Sequence, residues 1–306
     1  MNWRAKGIIQ KLLSHLPAGI AVNDFLQVSI GDLRNFDGTI DKKVTGDWAG
    51  LVTYLHQVGA SIQGKVLCEI GTGWYPSLPV AFHLAGAERI HTFDLTRHMG
   101  WERTERMLRR IERHLPIIAD HGRCPAGDVE QRYLALRQSK DLDDFLTRAR
   151  IDYHAPANAA RTGLRDGSVD IVFSNSVLEH VPRAAIAEMM RESGRILSRG
   201  GLSVHCVACN DHYAHFDRTI SFVNFLRFAE RDWAFWNNSL HFQNRLRASD
   251  FLQLARDNGL DIRLEARAVR PGCREALKTM KVAPEFRHYD EEDLVTTTID
   301  FIGAPR

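Results

Sequence analysis

The sequence lacks an apolar run long enough to cross a membrane. Its best candidate, "LPVAFHLAGA", is interrupted by His83, whereas a membrane-spanning helix needs about 18 consecutive apolar residues. The first residues carry positive charges, but polar residues break up any signal-peptide core. We therefore expect a soluble protein that does not associate with a membrane.

Cysteine is also scarce. Without a signal peptide, the five cysteines of this 306-residue chain do not look like a disulfide framework, which favours the cytoplasm. Cys206 and Cys209 form a "CVAC" motif with histidines nearby, but their offset of three along a predicted strand sends the thiols to opposite faces. Because a structural metal site normally has four convergent ligands, we expect buried structural cysteines and no metal.

Neither sign of charge is in excess. The 40 basic and 38 acidic residues give a net charge of +2, unlike the strongly basic composition of a protein that tracks nucleic-acid phosphates. Apolar residues make up 44% of the chain and charged residues 25%, as in an ordinary globular enzyme. We expect a small-molecule substrate and no nucleic-acid partner.

Short apolar runs alternate with helical patterns along most of the chain. Residues 65–70, 89–95 and 169–175 have the continuous apolar character of buried parallel strands. The helix "PRAAIAEMMRESGRILSRGG" is expected to end at its two glycines, and the strands "DIRLEARAV" and "LVTTTIDFIG" complete the sheet. This order predicts a doubly wound, Rossmann-like α/β fold with a mostly parallel sheet and right-handed crossovers.

Two domains are expected, an N-terminal helical cap over residues 1–60 and a Rossmann-like domain over residues 61–306. The second contains a helical insertion at 97–150, interpreted as a cap or as the contact of a homodimer, and an aromatic-rich substrate insertion at 210–247. An apolar stripe at helical spacing near the N-terminus is expected to pack on the protein itself. It comprises Ile8, Ile9, Leu12, Leu13 and Leu16.

The stretch "LCEIGTGW" places an acid and two glycines where a buried strand ends. Ligands of such sheets bind at the carboxyl ends of the strands, and Gly71 and Gly73 let the backbone approach a ligand closely. Asp94 follows about 20 residues later, near the separation at which an acid reaches a ribose diol. A nucleoside cofactor is therefore predicted.

Two other nucleotide motifs do not fit this turn. Pro76 replaces the third glycine of the dinucleotide fingerprint, and the Gly-Lys-Ser/Thr of a P-loop is absent. With Glu69 before the glycines, "EIGTG" instead resembles motif I of the class I S-adenosylmethionine-dependent methyltransferases. "FDL", "DGSVDIVFSNSVLEHV" and "ILSRGGLSV" resemble later motifs of the family in the same order over residues 65–207. The resemblance implies a seven-stranded sheet and S-adenosylmethionine as the cofactor.

The resemblance also implies a set of cofactor contacts. Asp94 would bind the ribose hydroxyls with Leu95 beside it, and the backbone from Gly71 through Thr72 to Gly73 would pass the methionine part. Glu69 would orient this loop or meet the ammonium group through water.

Further cofactor positions follow from the later motifs. Asn158 and Ala159 fall where the family usually has Asp-Ala at the adenine edge, and an asparagine can still accept from the adenine amino group. Asn175 would face the methionine carboxylate or the substrate. Trp74, or Tyr75 in the place of a third motif I glycine, would either present a ring to the sulfonium or pack under the N-terminal helices.

Candidate catalytic residues follow the fourth and fifth strands. His212, Tyr213 and His215 lie in "NDHYAHFD", beyond the fifth strand, and could serve as a base together with Asn175 on the same rim. Glu179 and His180 are tempting as a base pair or as metal ligands, because some family members bind a divalent ion with Glu-x-x-Glu-His. Ser176 replaces the first acid of that pattern, so we expect the pair to orient the loop and no metal to bind.

Three functions remain open. The leading hypothesis is a methyltransferase that methylates an oxygen or nitrogen of a small molecule by in-line displacement. A second is a cyclase of the azetidine-2-carboxylate synthase type, which consumes S-adenosylmethionine and releases methylthioadenosine. A third is a non-catalytic cofactor-binding module. Arg245 and Arg247 suit a substrate carboxylate or an exposed face.

Overall fold

A seven-stranded sheet forms the centre of the computed structural model, which describes residues 2–15, 35–238, 240 and 242–306. The strand order is β3-β2-β1-β4-β5-β7-β6, and β7 runs antiparallel to both its neighbours while the other pairs are parallel. The strands are β1 (Val66–Ile70), β2 (Arg89–Phe93), β3 (Ile151–His154), β4 (Val169–Asn175), β5 (Leu197–Ala208), β6 (Leu260–Ala268) and β7 (Thr298–Pro305). The predicted doubly wound, mostly parallel sheet is confirmed.

Helices flank the sheet on both faces. Before β1 come α1 (Trp3–Leu13), α2 (Phe36–Lys42), a π-helical segment (Lys43–Trp48) and α3 (Ala49–Gln57). Between β1 and β3 come α4 (Ser77–Leu84), α5 (Trp101–Ile111), a 3₁₀ turn (Glu112–His114), α6 (Leu115–Gly122), α7 (Ala126–Arg137) and α8 (Leu142–Arg148).

The later helices alternate with the remaining strands. The 3₁₀ turn Leu178–His180 and α9 (Arg183–Ile196) follow β4. Between β5 and β6 lie the 3₁₀ turns His212–His215 and Asn224–Arg227, α10 (Glu230–Trp236) and α11 (Ala248–Asp257). The chain closes with α12 (Cys273–Thr279), the 3₁₀ turn Pro284–Phe286 and α13 (Glu291–Val295) before β7. None of the described helices combines the length and apolar content needed to cross a membrane.

Two apolar clusters bury the sheet, which explains why its central strands read as continuous apolar runs. On one face, α2, α3 and the helices α4 to α8 share a cluster in which Trp48 contacts Phe82. On the other face, α9 and α11 pack through residues such as Met190 and Phe251. The division into two domains at residue 60 stays a prediction, and helices on both sides of that boundary contribute to the first cluster.

A third cluster, rich in aromatic residues, joins α1 to the segment after β5. Trp3 contacts Tyr213 and Trp236, and a Cβ at Gly7 would lie 2.8 Å from the Trp236 ring. The expected packing of the apolar stripe is wrong for Ile8, Ile9 and Leu12, which are 46%, 48% and 66% exposed. The contact instead uses the large ring of Trp3 and the close approach at Gly7. Leu16 lies outside the described residues.

Two element boundaries differ from the sequence expectation. Helix α9 ends at Ile196, four residues before the glycine pair, because residues 197–208 form β5. Gly201 does not end the helix but packs closely against β4, where a Cβ would lie 3.0 Å from the carbonyl oxygen of Asp170. Strand β7 begins only at Thr298, because Asp290 caps α13 by accepting a hydrogen bond from the backbone N–H of Asp293.

Arg245 and Arg247 belong to the interior rather than to an exposed face. Arg247 is fully buried, and its guanidinium donates to the carbonyl oxygens of Asp293 (3.2 Å), Cys209 (2.8 Å) and Thr296. It thereby connects the end of β5 to α13 and the start of β7. Arg245 donates in a similar way to the Phe225 and Phe228 carbonyls.

We expect Arg247→Met to lower the free energy of unfolding by about 3 kcal/mol or more. The substitution leaves three buried carbonyl groups without donors, each of which costs about 1–3 kcal/mol. Arg231→Met is the matched control, because the Arg231 side chain is 93% exposed and such changes stay within about 0.5 kcal/mol. Urea unfolding measures both variants, and equal losses would contradict the buried role.

Candidate active site

The turn after β1 is pressed against the loop after β4. Gly71 and Gly73 both have positive φ angles, of 83° and 66°. A Cβ at Gly71 would lie 2.5 Å from Cγ2 of Val177, whereas a Cβ at Gly73 would meet nothing within 4 Å. One side of the turn is therefore closed by the β4 loop, and the other side is open to a ligand.

Asp94 is fixed at the open side of this turn. Its Oδ2 accepts a hydrogen bond from the Gly73 backbone N–H at 2.8 Å, and its Oδ1 accepts from that of Thr96 at 2.9 Å. Leu95, the next residue, is 70% exposed. An oriented carboxylate with an exposed apolar side chain beside it is a suitable surface for a nucleoside.

Glu69 is buried behind the turn and linked to it by threonines. The Thr92 hydroxyl donates to Glu69 Oε2 at 2.5 Å, and it also hydrogen-bonds the hydroxyl of Thr72. Burial raises the pKa of Glu69 to about 8, although the Thr92 hydrogen bond and the charge of Lys43 act in the opposite direction. The carboxyl group thus holds Thr72, the residue between the two glycines.

The remaining cofactor candidates have partners within the protein. Asn158 Oδ1 accepts a hydrogen bond from the Ala160 backbone N–H at 2.9 Å, which leaves the second lone pair of the oxygen, and Ala159 is buried. Trp74 stacks on His98 at 4.6 Å. Arg103 lies over the Trp74 ring, and Tyr75 packs edge-on against Phe36 of α2. Both rings therefore engage in packing.

A cavity of 1480 Å³ adjoins this turn at the carboxyl ends of β4 and β5. Its walls come from α2, the π-helical segment and α3 on one side, and from residues after β4 and β5 on the other. Asn175 lies at its base, where the side-chain amide donates to Asp47 Oδ2 at 2.9 Å. Lys43 also lines the cavity and pairs with Asp47 at 3.3 Å.

Three of the predicted catalytic side chains meet in this cavity. His180, His212 and His215 line it, with ring centroids 5.0 Å apart for the first pair and 5.8 Å for the second. Tyr213 does not line it, which corrects that expectation. Its side chain is fully buried, and its hydroxyl donates to the Trp236 carbonyl at 2.9 Å.

Sequence reasoning missed cavity residues on α3 and β7. The Tyr54 hydroxyl donates to Asp300 Oδ2 at 3.0 Å, and Asp300 Oδ1 is buried without a hydrogen-bond partner among the described residues. Burial raises the pKa of the Asp300 carboxyl. A lone acid inside the apolar strand "TIDFIG" was the available signal, whereas nothing in the helical pattern marked Asp47 or Tyr54.

The two cysteines of the "CVAC" motif lie on opposite faces of the sheet, and Cys206 is only partly buried because it also lines the cavity. Cys206 packs against the cluster on one face of the sheet and Cys209 belongs to the cluster on the other. His205 lies between the hydroxyls of Ser174 and Ser203, which are 2.8 and 2.7 Å from its ring nitrogens. Burial lowers the pKa of His205 to about 3.

A model of a known protein family matches part of this sequence. Residues 118–205, which include the loop after β4, match the family model described as "Methyltransferase domain". Over this stretch the chain is similar to methyltransferases. The resemblance noted from the motifs is thereby confirmed, and S-adenosylmethionine is the cofactor that domains of this family use. A search of curated proteins finds no match.

Solved structures offer distant likenesses to this chain. One is geranyl diphosphate C-methyltransferase from Streptomyces coelicolor A3(2), with a TM-score of 0.46 and 14% identity over 84% of this chain and 77% of that chain. Another is magnesium protoporphyrin IX methyltransferase from Synechocystis PCC 6803, with a TM-score of 0.44 and 14% identity over 86% and 83%. Likenesses at these scores carry no argument about the acceptor.

We expect Gly71→Ala to destabilise the protein more than Gly73→Ala. Both changes place a Cβ at positive φ, which costs about 1–2 kcal/mol, but only the first collides with Val177, which adds about 1–3 kcal/mol. Thermal unfolding measures the difference. In a protein that already carries Val177→Ala, the Gly71→Ala change should cost less stability than it does in the parent. An equal cost in both backgrounds would contradict the contact.

The buried Glu69 should make the stability of the unliganded protein fall as pH rises. The folded-state pKa of about 8 exceeds the ordinary value of 4.5, so between these values the folded state holds a proton that the unfolded state has lost. This group alone then reduces the free energy of unfolding by about 1.4 kcal/mol per pH unit.

Denaturant unfolding from pH 5 to pH 9 tests this dependence. Glu69→Gln should lack the pH dependence that Glu69 contributes. Its free energy of unfolding relative to the parent should therefore increase up to about pH 8 and then level off. Glu88→Gln, at an exposed position, is the control and should follow the parent. A constant difference between Glu69→Gln and the parent would contradict the proposed protonation.

Proposed function

We propose that this methyltransferase transfers the methyl group of S-adenosylmethionine to an oxygen or nitrogen of a small molecule held in the 1480 Å³ cavity. The observation that carries the proposal is the loop after β4. Its Val177 contacts the cofactor turn at Gly71, while its Ser176 and Glu179 line the cavity. The methyl donor and the acceptor would thus bind on either side of the loop after β4.

On the donor side, the assignments from the sequence are retained as proposals. Asp94 holds the ribose hydroxyls, with Leu95 covering the adenine, and the 71–73 backbone passes the methionine part. Glu69, already linked to Thr72, positions this backbone. Asn158 and Ala159 contribute the adenine edge through the remaining lone pair of the asparagine oxygen.

On the acceptor side, size and charge describe the molecule. The cavity exceeds the roughly 300–1,000 Å³ of a typical small-molecule site, so it has room for an acceptor larger than a single amino acid. Polar groups of both signs line it, including Lys43, Arg270 and Asp300. These side chains suit an acceptor with several hydroxyl, carboxylate or amino groups rather than an apolar one.

The transfer is an in-line displacement. The acceptor atom forms a bond to the methyl carbon, the carbon–sulfur bond breaks, and the electron pair remains on sulfur as S-adenosylhomocysteine leaves. Holding the two atoms at near-attack distance supplies much of the rate. The acceptor proton would pass to a group that lines the cavity, and we propose His212, His215 or the Tyr54–Asp300 pair for this role.

The cyclase alternative loses the features that motivated it. Trp74 and Tyr75 are engaged with His98, Arg103 and Phe36. Most aromatic residues of the segment after β5 pack around Trp3 in the third cluster, whereas Phe216 and Phe242 line the cavity. The cytoplasmic location and the homodimer stay predictions from the sequence.

We expect Asp94→Asn to weaken S-adenosylmethionine binding by about 10- to 100-fold. An asparagine can still accept from the Gly73 N–H, but it lacks the charged acceptor for the ribose hydroxyls, whose hydrogen bonds contribute about 1.5–3 kcal/mol. Asp261→Asn, which removes an exposed carboxylate paired with Arg306, should bind like the parent. Calorimetric titration measures both, and equal affinities would contradict the ribose contact.

Product analysis separates the three functions. The protein is incubated with S-adenosylmethionine, with and without a panel of hydroxylated and aminated small molecules. Acceptor-dependent S-adenosylhomocysteine supports the proposal, and methylthioadenosine formed without an acceptor would establish the cyclase instead. Binding with neither product across the panel would favour the non-catalytic module.

A further inference from the structure

We propose that Glu179, His180 and His212 bind one divalent metal ion of a type that accepts imidazole ligands readily, such as Zn²⁺, Co²⁺ or Ni²⁺. Each residue offers one ligand atom, and these atoms all lie within 4.8 Å of one another. All three residues line the acceptor cavity. Two imidazoles and one carboxylate form a common set for catalytic metal ions, and they leave coordination positions open for other ligands.

The carboxylate of Glu179 is the strongest indication of a missing partner. The residue is only 1% exposed, and neither carboxylate oxygen accepts a well-formed hydrogen bond among the residues that the structure describes, so the nearby backbone N–H groups of Glu179 and Ala208 compensate its burial only in part. Within the same residues, no lysine or arginine lies within 4.0 Å of it, and the nearby Lys43 forms its ion pair with Asp47. Burying a carboxylate without a partner is costly, and a metal ion would supply that partner.

The hydrogen bond of His180 leaves one ring nitrogen available to a metal ion. Its Nδ1 lies 2.8 Å from the carbonyl oxygen of Phe242. Because a carbonyl oxygen can only accept, Nδ1 carries the proton, and Nε2 of the neutral ring carries the lone pair that a metal would use. Metal-bound histidines commonly donate their other ring N–H to a backbone carbonyl in this way.

A well-anchored turn presents His212 to the other two ligands. Its ring centroid lies 5.0 Å from that of His180. The preceding residue, Asp211, is fully buried, accepts from the Tyr213 backbone N–H at 2.9 Å and accepts from Asn224 at 3.0 Å. The sequence expectation of no metal rested on Ser176, and His212 now supplies a third ligand from the segment after β5.

The open coordination positions give the site a role in acceptor binding. That role rests on the proposed function, whereas metal binding does not. We infer an acceptor with a hydroxyl group next to a second oxygen donor, so that both oxygens bind the ion. Coordination would lower the pKa of the hydroxyl. With His212 held as a ligand, the hydroxyl proton would pass to His215 or to the Asp300 carboxyl group, and the oxygen would form the bond to the methyl carbon as the carbon–sulfur bond breaks.

Cobalt binding tests the site without S-adenosylmethionine. Full-length protein is treated with EDTA, dialysed and titrated with Co²⁺, with visible absorption and calorimetry as the readouts. We expect one ion per chain with new absorption bands from the bound ion. Glu179→Gln and His212→Ala should each weaken the affinity at least tenfold, with circular dichroism as the check of folding.

The matched control is His215→Ala. Its ring lies 5.8 Å from that of His212 in the same cavity but outside the ligand group, and its Nε2 is 3.2 Å from Asn210 Oδ1. Its Co²⁺ affinity should stay within twofold of the parent. Absence of Co²⁺ binding by the parent, or equal losses in His215→Ala and His212→Ala, would overturn the site. If Glu179→Gln fails to fold, the two histidine variants decide.

A second measurement distinguishes failure of the site from failure of the proposed function. S-adenosylmethionine binding and methyl transfer to a panel of hydroxy acids and catechols are compared in EDTA and in Zn²⁺ or Ni²⁺. Metal binding without methyl transfer leaves the site standing and counts against the transferase. Equal transfer with EDTA and with metal would overturn the role in acceptor binding.

Discussion

The contact between the β1 turn and the β4 loop is the constraint on which the open edge of the sheet depends. Gly71 has no side chain, and Val177 fills the space that a Cβ would need. The contact fixes where Asn175 and Glu179 lie, two residues to either side of Val177. A single steric fit between neighbouring parallel strands thus sets the distance between the proposed donor and acceptor sites.

Buried acids around that contact share an electrostatic condition. Glu69, Glu179 and Asp300 are carboxyl groups whose pKa values burial raises. The last two have at least one oxygen without a hydrogen-bond partner in the described part of the chain. Native proteins rarely leave such groups unsatisfied, and their concentration at one edge of the sheet indicates where ligands complete the structure.

The sequence predicted the parts of the molecule that depend on local chemistry. The strands were visible because buried parallel strands are apolar throughout, and Asp94 because its spacing from Gly73 follows from one crossover. In the structure, the backbone N–H of Gly73 donates a hydrogen bond to Asp94 Oδ2 at 2.8 Å. The number of strands could be stated only because the motifs resemble a known family.

The remaining features depend on contacts between distant segments. Asp47 meets Asn175 across 128 positions, and Tyr54 meets Asp300 across 246, so no periodicity could mark them. The apolar stripe of α1 misled because the helix packs through Trp3 and Gly7 instead. From the sequence, Arg247 was expected to bind a substrate carboxylate or to lie on an exposed face. Nothing in the neighbouring sequence shows that three backbone carbonyls surround it.

The walls of the cavity and the turn after β1 are built from different parts of the chain. Central strands build the turn, whereas the helices before β1 and the segment after β5 build most of the cavity. Changes in those outer segments can therefore alter which molecule is accepted while the turn stays intact. Such a layout lets descendants of one ancestral gene diversify in substrate choice without losing the shared donor.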